Sequence, residues 1–345
     1  MTRDKVMSAL RVCTRCVLPE TYPGIRFNKE GVCDLCLNFK GVGSEQAKQA
    51  EYRDKFAALV KEYKGNGTYD ALMCYSGGKD SSFTLSVLKE KYGLNVLAVS
   101  IDNGFVSEQA YRNIRTVSEN LGVDHIFFKP RFDILARIFR YCTDKDIYPP
   151  KALERASSIC TSCMAIVKYS TLRIALEKNI PFIAYGWSPG QAPVTSSIIK
   201  NNPGIVKMMQ KSLYDPLYQI VGSDIRPYFL EDRHFKNAYR FPYYVHPLAF
   251  LGYNEEAVFK NIARFGWKPP EDTDANSSNC LLNSFANVVH KQRLGFHPYA
   301  LENANLVREG YLDRDTALSR LNEQENPKVV AMVKKKLAIT GDFPG

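Results

Sequence analysis

The chain has 345 residues, beyond the roughly 250–300 at which a single hydrophobic core stops growing, so a main domain with appendages is expected. Hydrophobic residues make up 45% and charged residues 24%, no apolar run approaches the ~20 residues of a membrane span, and Met1 to Val12 lack the apolar stretch of a secretory signal. These features predict a soluble, cytoplasmic protein with no membrane partner. A formal charge of +10 favours an anionic partner, and nine cysteines in that compartment point to metal or redox chemistry instead of a disulfide framework.

Along the chain, Cys13-Thr-Arg-Cys16 and Cys33-Asp-Leu-Cys36 come first, with sixteen residues between the inner cysteines. Two Cys-x-x-Cys pairs at that spacing suit one Zn²⁺ held by four thiolates, a closed structural site; an iron–sulfur centre is the alternative. Pro19, Pro23, Gly24 and Gly31 supply the turns between two knuckles. Residues 45–63 read as a charged helix, which Lys64-Gly-Asn-Gly67 separates from the first strand.

Ala71 to Tyr75 form that short apolar strand, followed by Ser76-Gly-Gly-Lys-Asp-Ser-Ser82 and a helix over 81–92 capped near Gly93. Strand, glycine turn and helix start aim backbone N–H groups at one spot, where a phosphate binds well; Lys79 adds charge, and Ser76, Ser81 and Ser82 add hydroxyls. A strand over Asn95–Ile101 comes next, then a helix capped by Ser107 with Ala110, Ile114, Val117 and Leu121 on one face and Gly122 at its end. His125–Phe128 reads as a strand, 132–142 as a helix, and Cys160-Thr-Ser-Cys163 opens a helix running to about 178 before the apolar run Ile180–Tyr185. This alternation predicts an α/β fold with a parallel sheet covered on both faces. Ligands then sit beyond the carboxyl ends of the strands, where Ser76–Ser82, Asp102-Asn-Gly104 and Gly186-Trp187 converge. Arg226 to Tyr244 interleaves Arg, Phe and Tyr, either as an RNA-stacking patch or as a partly buried connector. From Phe250 the pattern is helical, with starts at Asn254 and Asp313, and the tail beyond Ile339 looks frayed.

Cys160, Cys163 and the distant Cys280 make a second metal candidate: three thiolates leave one corner of a cluster, or one position of a catalytic metal, without a protein ligand. Cys74 and Cys142 read as packing residues, and His246 and His290 as acid–base candidates that are more often structural.

Ser76–Ser82 resembles the Ser-Gly-Gly-x-Asp-Ser motif of the PP-loop ATP pyrophosphatases, which cleave ATP to AMP and pyrophosphate. The resemblance implies a PP-loop (HUP-like) domain over 67–250, with a zinc-ribbon-like module over 1–45, a helical linker over 46–66 and a helical region over 251–345. It further implies that Ser76, Gly77, Gly78, Lys79, Asp80, Ser81 and Ser82 hold ATP with Mg²⁺, Asp80 placing the metal or capping the helix. Ile101, Asp102, Asn103 and Gly186 would line the adenosine.

The order PP-loop, Cys160-x-x-Cys163, Cys280 resembles that of the cluster-dependent tRNA thiolases of the same superfamily. There, three such cysteines hold a 4Fe–4S cluster that binds the sulfur to be moved; Lys168 would contact substrate or phosphates. Gly186–Pro193 lacks the acidic residue thiolases carry after the corresponding glycine. Cys13 to Phe27, with Gly31 to Cys36 and the ending Leu306 to Leu321, resembles instead the N-acetyl sugar amidotransferases, which use ammonia from a partner glutaminase. Both resemblances imply adenylation of a substrate oxygen. The three cysteines favour sulfur as the incoming atom, whether inserted or removed. The acceptor would be a tRNA, nucleotide or nucleotide sugar, and a homodimer is expected from related pyrophosphatases. A noncatalytic nucleotide-binding module is the third reading.

Overall fold

The computed structural model describes residues 10–340. The expected fraying beyond Ile339 lies almost wholly outside them, as do nine of the twelve N-terminal residues read for a leader. Six strands, β1 (Ala71–Cys74), β2 (Val96–Ile101), β3 (Asp124–Phe128), β4 (Phe182–Tyr185), β5 (Ile198–Lys200) and β6 (Tyr243–Val245), form one sheet in the order β3-β2-β1-β4-β6-β5. Neighbours are parallel except β5 against β6. This is the expected α/β architecture, with a cysteine module before it and helices after it.

The central strands β1, β2 and β4 are apolar on both faces because both are covered. Leu72, Leu97, Val99 and Ile183 enter one layer with the helices Phe132–Asp144, Ser158–Lys178 and Leu282–Leu294. Ala71, Met73, Val96, Ala98, Phe182 and Ala184 enter the other, with the helices Val42–Tyr63, Lys79–Ser86, Glu108–Leu121 and Glu255–Ala263. A third core joins the N-terminal cysteines to Phe296, Ala300, Leu301, Ala304 and Ala317, so the C-terminal helices are distributed over all three cores. Chain order reverses beside β1: β2 and β3 lie on one side, β4 on the other. A crevice opens beyond the strand ends at such a switch point.

Local signals account for the element ends. Ser107 Oγ accepts the Ala110 N–H, and Gly122, at φ +60°, ends that helix in the left-handed conformation. The helix expected over 81–92 begins earlier, at Lys79, and widens into a π-turn over Val87–Lys91. Ser157 caps the helix Ser158–Lys178 by accepting the Cys160 N–H at 3.3 Å, placing both cysteines in its first two turns. That helix is the one among the described residues long and apolar enough to cross a membrane by composition, yet it is mostly buried inside the fold.

β5, β6 and the helix Pro203–Val221 go beyond the sequence reading. The two strands are three residues each, and the helix packs Val206, Leu213, Tyr214, Leu217, Ile220 and Val221 on the core while Pro216 interrupts its sequence pattern. Between them, Arg226–Tyr244 is mainly connector: Tyr228, Phe241 and Tyr244 are core residues, while Tyr239 is 75% exposed.

Gly77 tests how tightly these layers meet. Its φ is +76°, and a Cβ there would lie 2.5 Å from the Ala110 carbonyl; Gly122 has a similar φ but open space around it. Gly122→Ala is expected to cost about 1–2 kcal/mol for the backbone alone, and Gly77→Ala distinctly more. Urea unfolding of both variants checks this; equal midpoints would contradict the close contact.

Candidate active site

A cavity of about 480 Å³ opens at the switch point. Ser76, Gly78, Asp80 and Ser81 line it from the turn after β1, Ile101 and Asn103 from the end of β2, Gly186 from the end of β4, and Cys160, Cys163 and Cys280 from farther along the chain. Sequentially distant groups meet there because the loops leave parallel strands at the same edge.

The turn after β1 is fixed from behind. Trp267 Nε1–H donates to the Gly77 carbonyl at 2.9 Å, and Asn113 Nδ2–H donates to it at 3.4 Å. At the front, Ser76 Oγ and Ser81 Oγ lie 3.1 Å apart, and the Lys79 backbone N–H donates to Ser278 Oγ at 3.0 Å. Ser278 belongs to the loop that carries Cys280, so that loop lies across the turn. Gly186 presses from the β4 side: a Cβ there would lie 2.4 Å from Ser81 Cα.

Lys79 Nζ is held 3.0 Å from Asp80 Oδ2, 3.2 Å from Glu255 Oε1 and 2.6 Å from Tyr253 OH, and Tyr253 OH donates to Asp80 Oδ1 at 2.8 Å. Burial alone would lower the Lys79 pKa, but Asp80, Tyr253 and Glu255 together hold it above the usual lysine range. The lysine is therefore a fixed cation beside the turn. Glu302 reaches the same place from the helix Ala300–Arg308 and lines both this cavity and a smaller one with Lys79 and Asp80. Burial raises its pKa to about 7, with Asp80 adding to the rise, while Ser188 Oγ–H donates to it at 2.6 Å.

Cys160, Cys163 and Cys280 form one patch on the wall. Asn103 Nδ2–H reaches both the Cys163 and Cys280 sulfurs at 3.5 Å. Burial pushes all three thiols up. They do not converge within 4.8 Å as ligands of a single ion do, and three soft, widely set sulfurs facing open space fit the corners of a polynuclear cluster. The four N-terminal cysteines differ: all their sulfurs lie within 4.8 Å of one another, and all are buried. Backbone N–H groups of Cys16 and Cys33 donate to Cys13 Sγ, and Arg308 Nη1–H donates to Cys16 Sγ at 3.4 Å. That set fits one tetrahedral metal ion with donors already placed around its sulfurs.

Several expected contacts lie outside the cavity wall. Ser82 is fully buried behind the turn, its hydroxyl 3.2 Å from Tyr75 OH, and Gly77 faces the packing layer. Asp102 turns away to accept the Gly104 N–H at 2.7 Å and to pair with Lys129 at 3.1 Å. Lys168 lies over the Tyr169 and Tyr244 rings, its pKa lowered by burial. His246 stacks on Trp187 with ring centroids 4.4 Å apart, and burial lowers both His246 and His290 to about 4, so each is a neutral packing ring.

No family model matches the chain. An uncharacterized protein of Methanocaldococcus jannaschii is 25% identical over 320 residues, covering 92% of this chain and 95% of that one. Among solved structures, the U34-tRNA thiolase NcsA of Methanococcus maripaludis, with its 4Fe–4S cluster, gives a TM-score of 0.36 at 17% identity over 96% of this chain and 99% of that one. NMN synthetase of Francisella tularensis gives 0.38 at 12% identity over 86% and 98%, and the NH3-dependent NAD synthetase of Campylobacter jejuni 0.35 at 13% over 87% and 98%. At such scores the chemistry has to be read from this cavity's own residues.

Tyr253, Glu255, Ser278 and Glu302 escaped the sequence reading. The first two flank a helix-start signal at Asn254, and Glu302 sits in an ordinary helical stretch, where a glutamate normally faces water. Its titration is testable. Unfolded, it takes the ordinary 4.5; folded, about 7. Between those values the fold keeps a proton that the unfolded chain loses, so this group's contribution makes stability fall as pH rises from about 4.5 to 7. Glu302→Gln should therefore gain stability over wild type at pH 8 relative to pH 5, measured by urea unfolding. An equal difference at both pH values would contradict a buried titrating carboxyl.

Proposed function

We propose that this protein is a PP-loop ATP pyrophosphatase that adenylates a carbonyl oxygen of its acceptor and exchanges that oxygen with sulfur. The observation that carries the reading is one cavity bounded by both the glycine turn after β1 and the three cysteines. A nucleotide site and a sulfur-handling site bordering one cavity suit two steps on one acceptor atom.

The backbone at Gly78 and the hydroxyls of Ser76 and Ser81 would receive the triphosphate. Asp80 would bind Mg²⁺ once Lys79 turns from it to the phosphates, and Ile101, Asn103 and Gly186 would border the adenosine. The acceptor's carbonyl oxygen attacks the α-phosphorus, the bond to the β-phosphate's bridging oxygen breaks, and pyrophosphate leaves with Mg²⁺. Sulfide then adds to the adenylated carbon, the carbon–oxygen bond breaks, and AMP departs carrying the oxygen. A 4Fe–4S cluster held by Cys160, Cys163 and Cys280 would supply an iron with no protein ligand for the sulfide. Cys13, Cys16, Cys33 and Cys36 would hold a zinc ion that contributes folding energy and no chemistry.

Anaerobic purification followed by metal and labile-sulfide assays tests this. Wild type should contain iron, sulfide and one zinc per chain. Cys280→Ser should lose the iron and keep the zinc, whereas Lys79→Ala should keep both and lose at least about 100-fold in acceptor-dependent pyrophosphate release, the scale of removing one charge-stabilising group. A colourless, zinc-only protein would contradict sulfur exchange and favour amidotransfer with ammonia from a glutaminase partner.

A further inference from the structure

Apolar residues line the cavity on both sides of the turn after β1. Val99, Ile101 and Val106 do so on the β2 side, where the adenosine would lie. Trp187 does so on the β4 side, together with Met164 and Val167 of the helix Ser158–Lys178. Cys160, Cys163, Met164 and Val167 follow one another at helical spacing, so one face of that helix carries two of the thiols and the apolar pair. Lys168 Nζ, next to Val167, lies 5.4 Å over the Tyr244 ring of β6, which fixes this stretch of the helix on the β4 side.

Trp187 is the unusual member of this wall. It remains 40% exposed although His246 is stacked on it at 4.4 Å with the ring planes only 5° apart. With that face covered, the exposed area belongs to the other side of the indole, on the cavity. The ring is also held in place. His246 behind it is buried and neutral, and Gly186 before it is pressed on Ser81. After it, the Ser188 N–H donates to Gln191 Oε1 at 3.0 Å and the Ser188 hydroxyl to Glu302 at 2.6 Å. Tryptophan is usually well buried. A rigid indole face left open in a cavity is a platform for a second flat ring, which binds there with little loss of side-chain freedom.

We propose that Trp187 selects the acceptor: a nucleobase stacks on its open face, beside the helix that carries Cys160 and Cys163, while the adenine of ATP takes the β2 side. Stacking needs a flat π-face and is nearly indifferent to which base supplies it, whereas a saturated sugar ring has none. Arg155 stands next to this platform, since its Nη1–H donates to the carbonyl of Gln191, the residue that holds Ser188. Exposed and on the cavity wall, it supplies a cation for the acceptor nucleotide's phosphate. The assignment rests on the adenylation reading for the ring carbonyl that the base must carry, but the platform itself is measured by binding.

Trp187 and Trp267 are the chain's two tryptophans, and Trp267 is buried behind the turn, so stacking is read from Trp187 emission. Uridine monophosphate and N-acetylglucosamine 1-phosphate are titrated separately into anaerobically purified protein saturated with α,β-methylene-ATP, followed by tryptophan emission and by calorimetry. Uridine monophosphate should bind wild type and quench it saturably, and the sugar phosphate should do neither. Trp187→Leu should bind uridine monophosphate about tenfold more weakly, the order of one lost base stack, and without the quench. Trp187→Phe, which keeps a smaller ring, should recover part of the affinity. Both variants should bind α,β-methylene-ATP within about twofold of wild type, which shows them folded and the adenine elsewhere. Undiminished uridine monophosphate binding to Trp187→Leu, no binding to wild type, or equal or tighter binding of the sugar phosphate would overturn the proposal. So would loss of α,β-methylene-ATP from folded Trp187→Leu, which would put adenine on this ring. Wild type that is quenched by uridine monophosphate but binds no α,β-methylene-ATP would instead contradict the adenylation reading and leave the platform standing.

Discussion

The site depends on one backbone contact. β1 and β4 pair in parallel with Cys74 beside Tyr185, so Gly186 leaves the sheet directly alongside Tyr75 and the glycine turn. Because Gly186 has no side chain, its backbone lies against Ser81 at a distance no Cβ would tolerate. The exit of β4 is thereby laid on the first turn of the helix after β1, closing the cavity on that side. On the other side, the loop carrying Cys280 reaches across and bonds the Lys79 N–H through Ser278. Glycine at 186 is what allows the glycine turn and the cysteine patch to border one cavity; a side chain there would push the two exits apart.

A second dependence runs from the N-terminal cysteines to the same cavity. The helix Ala300–Arg308 places Arg308 on the Cys16 and Cys36 sulfurs at one end and Glu302 beside Lys79 and Asp80 at the other. Asn305 Nδ2–H, between them, donates to the Gly190 carbonyl at 2.8 Å in the loop after β4. The N-terminal cysteine module is thus joined to the rest of the structure by this helix, which packs into its core. The same helix fixes where Glu302 enters the cavity wall.

The parts of this arrangement that sequence made legible are those with local causes. The glycine turn at Ser76–Ser82, the Ser107 and Gly122 caps and the apolar strand before the turn each arise from neighbouring residues, and each stands where the spacing put it. The two cysteine sets were legible by type, and Cys280 joins Cys160 and Cys163 across more than a hundred residues because the switch-point crevice collects loops from the whole chain. The residues that escaped lack a local signature. Glu302, Tyr253 and Ser278 act through contacts 170 or more residues away from the turn they serve, and β5 and β6 are strands only because β4 offers an edge to pair with. Ser82, Gly77 and Asp102 belong to the right segments but face the packed layers, since only every second residue of a strand exit and one face of a helical turn can border the cavity.

The most direct test of the central claim is a crystal structure of anaerobically purified protein with α,β-methylene-ATP, with anomalous scattering recorded at the iron and zinc absorption edges. Phosphate density is expected against Ser76, Gly78 and Ser81, with an iron signal in the same cavity bounded by Cys160, Cys163 and Cys280, and zinc at the four N-terminal cysteines alone. Nucleotide bound elsewhere, or zinc in place of iron beside Cys280, would contradict a shared adenylation and sulfur-exchange site.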